Sequence, residues 1–441
     1  MGLLIGAGST KPVFPYDYYY GIQWDAAIAN PACTRIGRPE LHVSLPIQSR
    51  MRRCLLADNG TVGVYLHPTG SAKTDTGATA NLTGASGQVM VEIPAHYRKF
   101  EIEGAVFRCY LSEYALPGFH FVPKVYRSAY EAAIDRTTGS APKLASVVNT
   151  APEFRGGNNN AAYDGQSNSL LGMPGTNTTL TNYRVYARRR ATAGLNGAGW
   201  NCDVYDIQKT CYWLYAVEYA NFNCQAAYNA QPTPEGYKQG GLGEGVTTLA
   251  GGAWNTFNAY NPFVPCGYTN SLGNRTGVVD FVMPAGYGTL TVQVPSYRGL
   301  ENPFGHVWSW TDGCKCKIQS ADAGGLSEFF VCPDPSKFQD NNYNDYEKRG
   351  ELPQYGGYVK EMLIGEFGEN MPKLASGASS TTYFSDYFYT GIPAIGEAQR
   401  GVLFGCSADV GMRGGFACAT SVSEASVSSA YFGSRLCFIP A

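Results

Sequence analysis

Short runs in which apolar and polar residues alternate recur along this chain, and such alternation is typical of β-strands with one buried face. The clearest runs lie at residues 41–45, 62–66, 89–93, 97–102, 106–111, 278–283 and 288–294. Gly, Pro, Asn and Asp cluster between them, as in the turn Asp58-Asn59-Gly60 before the second run. The pattern predicts many short, mostly antiparallel strands joined by tight turns.

Two segments have a helical period instead. The first is predicted to run from a Thr181 cap to Arg190, with three consecutive arginines in the last turn, where the helix dipole favours positive charge over an anion site. The second is predicted to run from an Asp203 cap to about Gln225 and carries a wide apolar stripe typical of a buried helix. Glu218 falls within this stripe, so its carboxylate needs a partner, and a structural bond is favoured over catalysis.

The densest aromatic stretch, residues 299–313, places turn signals on both sides of a short strand-like run. Trp308 and Trp310 are two residues apart and therefore share one face of a strand. We expect both indoles to be buried as a scaffold, with the strand ended by a second turn at Asp312-Gly313.

Composition supports many short elements over a helical bundle: the 441 residues include 53 Gly, 25 Pro and 31 Tyr, and only 15% are charged. Residues 71–86 are rich in Gly, Ala, Thr and Asn, which predicts a surface loop or linker. We therefore place a boundary near residue 90. Residues 1–90 are expected to form an extended, tyrosine-rich arm with a small β module, and residues 91–441 a second domain.

Charge and cysteine usage exclude several classes of protein. The net charge is -2 and the longest basic run is residues 188–190, which argues against nucleic-acid binding. Residues 1–10 lack a basic stretch ahead of their apolar start, and no apolar run reaches membrane-spanning length, so we expect a soluble protein made in a cytoplasm, with no membrane insertion. The odd number of cysteines, 13, favours buried free thiols over disulfides.

The sequence contains no pattern of residues that indicates an enzyme, a cofactor or a metal site. No two of the five histidines have metal-ligand spacing; they are His42, His67, His96, His120 and His306. Cys314-Lys315-Cys316 is too short for a redox pair, and the glycine-rich residues 240–245 lack the Lys-Ser/Thr ending of a phosphate loop. A nucleophile elbow is absent as well, and a glycosidase carboxylate pair cannot be named from sequence.

Three motifs in a fixed order resemble the C-type lectin fold, in the branch shared by formylglycine-generating enzymes and the variable proteins of diversity-generating retroelements. G-H-V-W-S-W-T-D at residues 305–312 is similar to the family's G-N-V-W-E-W-x-x-D. L-F-G-C-S at 403–407 stands at the place of R-G-G-S-W, and G-S-R-L-C at 433–437 is similar to the terminal G-F-R-L. The resemblance covers about residues 90–441 and implies an α+β, C-type lectin-like fold of the formylglycine-generating-enzyme-like subtype, preceded by the small N-terminal β module.

The whole chain also looks like tail or fibre proteins of bacteriophages that infect gut bacteria, on the basis of residues 21–25, 44–48 and 89–100. In such proteins the C-terminal lectin-like module displays a host-binding surface, sometimes diversified by mutagenic reverse transcription at adenine-rich codons. The Arg of R-G-G-S-W is replaced here, and Cys418 and Cys437 lie in contexts different from those of the catalytic cysteines of formylglycine-generating enzymes. The resemblance therefore implies binding and not catalysis.

In the variable proteins the diversified residues lie just before the last strand, which corresponds to residues 407–431 here. The resemblance implies a ligand-binding set within this segment, with a plain Gly/Ser loop as the alternative. The set is Ala408, Asp409, Val410, Met412, Arg413, Phe416, Cys418, Ser421, Ser423 and Tyr431. Arg413, Phe416 and Tyr431 are its expected anchors, because these residue types carry much of the binding energy at interfaces.

The function implied is that of a virion protein, made in the host cytoplasm, that binds a protein or glycan receptor on the host cell surface. The N-terminal region would attach to other virion proteins or form a homo-oligomer, with a trimer favoured. The alternatives are a structural virion or bacterial surface adhesion component without direct receptor contact, and a surface-active hydrolase or oxidase. Calcium is not implied, since Glu301-Asn302-Pro303 has the residues of a carbohydrate-binding triplet in the wrong order.

Overall fold

Sheets of short strands enclose one long helix in this chain. Strand residues outnumber helical residues by 38% to 15%, so the chain is α+β or mainly β. The computed structural model describes residues 16–154, 172, 174–191, 199–226, 264–282, 291–429 and 431–440. The glycine-rich segment at 240–245 lies outside the described residues.

Three α-helices occur in the described ranges: α1 (Pro39–Ser44), α2 (Leu180–Arg188) and α3 (Tyr205–Tyr219). Every residue of α3 except Asp206 is buried, which confirms the prediction of a main buried helix. None of the helices described here is both long and apolar enough to cross a membrane.

The ends of the two longer helices differ from the sequence prediction. α2 begins two residues earlier than expected, because the Thr179 hydroxyl accepts a hydrogen bond from the Asn182 N–H at 3.1 Å. α3 ends at Tyr219, before a residue with left-handed backbone (φ 50°). Asp203 does not cap α3, since its carboxylate is held by Arg127, with Nη2 and Oδ2 2.6 Å apart.

The first sheet has five strands, and a strand from the first 40 residues lies inside it. In order they are β2 (Thr34–Gly37), β1 (Tyr20–Asp25), β7 (Val106–Ser112), β6 (His96–Glu103) and β8 (His120–Val122). β1 pairs with β7 along its whole length. The Trp24 ring on β1 stacks on Trp213 of α3 with centroids 5.8 Å apart. The predicted extended arm is thus part of the core from Tyr20 onward.

The second sheet contains strands from both sides of residue 90. Its six strands in order are β12 (Trp200–Cys202), β26 (Leu436–Phe438), β9 (Val125–Ser128), β5 (Gln88–Ile93), β3 (Arg52–Leu56) and β4 (Val62–Tyr65). The boundary predicted near residue 90 falls inside β5. Because β3 and β4 share this sheet with β26, residues 1–90 do not form a module separate from residues 91–441.

The third and largest sheet has eight strands and carries the aromatic stretch. Seven of them run in the order β18 (Glu347–Glu351), β17 (Ser327–Val331), β16 (Trp308–Gln319), β23 (Glu397–Phe404), β24 (Ala419–Ser421), β22 (Tyr387–Thr390) and β19 (Gly357–Tyr358). The eighth, β25 (Phe432–Gly433), pairs in parallel with the start of β16.

Three smaller groups of strands complete the fold. They are β10 (Ala133–Asp135) with β11 (Lys143–Ala145), β13 (Gly277–Val282) with β14 (Thr291–Tyr297) and β15 (Leu300–Glu301), and β20 (Glu361–Ile364) with β21 (Glu369–Leu374).

The aromatic stretch is the predicted buried scaffold, but its strand is longer than predicted. Trp308 and Trp310 are 6% and 0% exposed. The chain does not turn at Asp312-Gly313; it continues as β16 to residue 319, with a register shift after Thr311. Gly313 has a φ of 80°, which fits a bulge, and a side chain there would meet the Phe338 ring.

A prediction about buried charge is confirmed. Glu218 is paired with Arg298, whose Nη2 lies 2.6 Å from its Oε1, so its role is structural. The prediction for the three arginines holds only in part, because α2 ends at Arg188 and only this arginine lies in its last turn. Arg188 and Arg189 donate to backbone carbonyls, and Arg190 pairs with an aspartate. All 13 cysteines are unpaired and 12 of them are buried, as expected for free thiols.

Candidate functional site

The segment predicted to bind a ligand, residues 407–431, crosses the third sheet. It begins with a 3₁₀ segment, Ala408–Arg413, and then forms β24. β24 pairs with β23 on one side and in parallel with β22 on the other, so it is an interior strand. The segment is therefore anchored to the sheet by three residues, and most of the rest is irregular.

Three residues of the predicted set are buried, which contradicts their assignment to a binding surface. Phe416, Cys418 and Ser421 are 1%, 0% and 0% exposed. The Phe416 ring packs against Tyr215 and Phe304, with centroids 5.3 and 5.7 Å away. Phe416 is thus a core side chain and not an anchor for a ligand.

The other members of the set lie at or near the surface. Met412 and Tyr431 are 65% and 42% exposed, and Arg413 is also exposed. Val410 and Ser423 are half-buried. The side chains of Ala408 and Asp409 lie outside the described part of the structure. Two of the three expected anchors, Arg413 and Tyr431, are therefore accessible.

Next to this segment lies a row of aromatic side chains that the sequence analysis missed. The tyrosine row consists of Tyr358 on β19 and Tyr387 and Tyr389 on β22, with successive centroids 5.1 and 4.5 Å apart. Trp308 meets Tyr389 edge-on at 5.9 Å. Tyr387 and Tyr389 are two residues apart and therefore share one face of their strand. This spacing is a sequence signal from which the pair could have been predicted.

Arg413 joins the predicted segment to the tyrosine row. Its guanidinium carbon lies 4.8 Å from the Tyr387 ring centroid, and its Nη1 donates to the Tyr389 hydroxyl at 3.3 Å. Burial raises the pKa of Tyr389 to about 12, so the phenol stays neutral near pH 7 and the charge here belongs to Arg413. We call Met412, Arg413, Tyr431 and the tyrosine row the Arg413 face.

Buried polar contacts hold the backbone beneath the Arg413 face. The Asp386 side-chain Oδ2 accepts a hydrogen bond from the Ala417 N–H at 2.8 Å. A side chain at Gly415 would place its Cβ 1.8 Å from Asp386 Oδ1, so only glycine fits there. The Gln225 side-chain amide donates to the carbonyls of Gly411 and Gly414. These bonds fix the 3₁₀ segment against the sheet.

The Arg413 face has the chemistry of a recognition surface. Tyrosine and arginine supply large, rigid contact area, a cation and hydroxyl groups at low cost in conformational entropy. In the described ranges, no three His, Cys, Asp or Glu side chains are grouped so that they could hold a metal ion.

Neither a protein-family model nor a curated protein sequence matches this chain.

Proposed function

We propose that this chain is a bacteriophage tail fibre or spike protein that binds a receptor on the bacterial surface through the Arg413 face. The observation that carries the proposal is the stacking of an exposed arginine on a row of tyrosines, fixed on a sheet by buried polar contacts. The receptor is a protein or a glycan of the host cell. The protein is accordingly made in the host cytoplasm and ends in the virion.

The composition of the face supports binding. Interfaces are enriched in Tyr, Trp, Met and Arg, and a few such residues carry most of the binding energy. Met412, next to Arg413 in the chain, and Tyr431 add exposed apolar area to the Arg413 face. Because β19 and β22 already hold the tyrosine row, little conformational entropy of these three side chains is lost when a partner binds.

A C-type lectin-like fold of the formylglycine-generating-enzyme-like subtype is part of the proposal. The three sequence motifs that suggest this fold contact one another, which supports the proposal. Ser309 in the first motif pairs with Phe404 in the second across β16 and β23. The hydroxyl of Ser434, in the third motif, donates to the Trp310 carbonyl at 2.8 Å. The motifs are therefore neighbours in space as well as in order.

The N-terminal part of the described chain supports attachment to other virion proteins or to copies of itself. Tyr16, Tyr18 and Ile28 are 54%, 46% and 58% exposed, although large apolar side chains favour burial. β2 lies in the same region and is an edge strand of the first sheet among the described residues. We propose that this region forms the contact, with a homotrimer as the assembly.

The proposal is tested by binding the fluorescently labelled full chain to a panel of gut bacterial isolates. We expect binding to a subset of strains and its loss when Arg413→Ala and Tyr387→Ala are combined. Lys373→Ala, which removes an exposed cation outside the face, should leave binding unchanged. Treating cells with protease or with periodate then separates protein from glycan receptors. A structural virion component without receptor contact would bind none of the strains.

A further inference from the structure

A cavity of about 400 Å³ opens between the first sheet and the N-terminal turn of α3, and none of its lining residues belongs to the Arg413 face. This volume lies within the usual range for small-molecule sites, roughly 300–1,000 Å³. Its walls are mostly apolar, with Phe100, Phe338 and Ile439 among the lining residues. The cavity thus has the size and lining of a ligand site.

One charged group in this cavity, the Arg98 guanidinium, has an N–H donor without a partner. Burial lowers the pKa of Arg98, and the carboxylates of Asp206 and Glu369 raise it through space by a smaller amount. Arg98 is 8% exposed, and its Nη1 is buried without a hydrogen-bond partner. The guanidinium carbon lies 5.5 Å from the Phe100 ring centroid, on the same face of β6. Among the described residues, no carboxylate forms an ion pair with Arg98. A buried N–H without a hydrogen-bond acceptor is costly, so an anionic acceptor in the cavity would stabilise it.

The other cations that line the cavity already have anionic partners. Lys209 Nζ lies 3.0 Å from Asp206 Oδ1 and 3.2 Å from Glu369 Oε2. Arg349 Nη2 lies 3.0 Å from Glu347 Oε2. Together with Arg98, these cations are matched in number by the carboxylates of Asp206, Glu347 and Glu369. A ligand is therefore attracted by the unsatisfied Arg98 N–H and not by an excess of positive charge.

The mouth of the cavity is apolar and slightly acidic. Phe121 and Phe367 are 59% and 37% exposed, which is unusual for such large apolar rings. His120 Nε2 lies 3.1 Å from Glu366 Oε1 at the same rim. An apolar molecule can contact these rings as it enters, whereas the rim carboxylate disfavours ligands with two or more negative charges.

We propose that this cavity binds a small amphipathic carboxylic acid, with its carboxylate on Arg98 and its apolar body among the phenylalanine side chains. A carboxylate matches the planar guanidinium with two parallel hydrogen bonds. The apolar body gains from burial against Phe100 and Phe338, in proportion to its area. The site is independent of receptor recognition by the Arg413 face.

Calorimetric titration of the full chain with decanoate and with decanol tests the proposal. The two probes share an apolar body of equal length, so only the charged group differs. We expect decanoate to bind at least ~10-fold more tightly than decanol, because only the carboxylate forms charge-assisted hydrogen bonds with the guanidinium. Failure of decanoate to bind, or equal affinities for both probes, would overturn the proposal without any variant being needed.

Variants then identify the carboxylate partner. Arg98→Met removes the charge but keeps an unbranched side chain, so the fold should be retained or stabilised while decanoate affinity falls at least ~10-fold. Arg108→Met on the neighbouring strand β7 is the matched control, since Arg108 does not line the cavity. Unchanged decanoate affinity in a folded Arg98→Met or Arg98→Gln variant would contradict the assignment.

Discussion

Arg184 on α2 and Asp312 on β16 form a buried, two-pronged ion pair, in which Nη2 lies 2.9 Å from Oδ1. The two side chains are 8% and 2% exposed. Arg184 Nη2 also lies 2.7 Å from Asp340 Oδ1, so one guanidinium joins α2, the bulge in β16 and a surface loop. This pair holds the aromatic strand in place beneath the Arg413 face.

Removing one partner of this pair should destabilise the fold strongly. Arg184→Met leaves Asp312 buried without a counter-charge, and we expect a loss of about 3–5 kcal/mol in the free energy of unfolding. Lys373→Met breaks an exposed pair with Glu361 and should cost less than about 1 kcal/mol. Urea denaturation of both variants measures the difference. Equal losses would mean that the buried pair is not a structural link.

Trp310 should behave as scaffold. The indole is fully buried, packs edge-on against Phe432 with centroids 5.6 Å apart, and lies against Gly401. Trp310→Ala removes this packing, and we expect a loss of about 3–5 kcal/mol. Thermal unfolding followed by circular dichroism checks this. A variant of unchanged stability with altered strain selectivity would instead assign Trp310 to the site.

Phe416 and Tyr431, both predicted as ligand anchors, should differ strongly in how much their truncation lowers the free energy of unfolding. Phe416→Ala opens a cavity among buried rings and should lower the free energy of unfolding by about 3–5 kcal/mol. Tyr431→Ala removes a side chain that is 42% exposed and should change it by less than about 1 kcal/mol. Chemical denaturation of the two variants decides this. If the Phe416→Ala protein were as stable as the wild type, Phe416 would not be a core residue and would again be a candidate for the binding surface.

Asp386 predicts a pH dependence of stability. Burial raises the pKa of its carboxyl from 3.8 to about 8, so the folded state binds a proton that the unfolded state has released. Stability from this group is present below about pH 4 and is lost as the pH rises towards about 8, by up to about 1.4 kcal/mol per pH unit. Asp386→Asn stays neutral and keeps an oxygen for the Ala417 N–H.

The comparison of wild type with Asp386→Asn isolates this effect from other titrating groups. Urea denaturation between about pH 5 and about pH 8 should show the variant gaining stability relative to wild type as the pH rises. Parallel pH profiles for the two proteins would show that Asp386 is already ionised in the folded state.

Local sequence patterns predicted whether most elements are strands or helices. Where a strand ends and which strands pair depend on contacts between residues far apart in the sequence. The spacing of Trp308 and Trp310 was enough to predict a buried strand face. Asp312-Gly313 resembles a turn, yet Arg184, 128 residues away, pairs with the aspartate and the strand continues. The expected boundary near residue 90 failed for the same reason, because pairing between β3, β5 and β9 depends on residues far apart in the chain.

The candidate site was predictable in part. Arg413 and Tyr431 could be chosen by residue type, since arginine and tyrosine suit exposed recognition surfaces. Phenylalanine also suits recognition surfaces, so Phe416 was chosen on the same basis. The glycine-rich sequence around it has no periodicity, and therefore does not show that its side chain points into the core. Tyr387 and Tyr389 had a clear alternation, but only the pairing of β22 with β24 places them beside residues 407–431.

The most direct test of receptor recognition is competition for host adsorption. Purified full chain, added to a susceptible strain before the phage, should reduce adsorption by occupying the receptor. We expect the Arg413→Ala/Tyr387→Ala variant, folded as shown by circular dichroism, to lose this inhibition, while the Lys373→Ala control retains it. If the folded double variant blocks adsorption as well as the wild-type chain does, the Arg413 face is not the receptor-binding site.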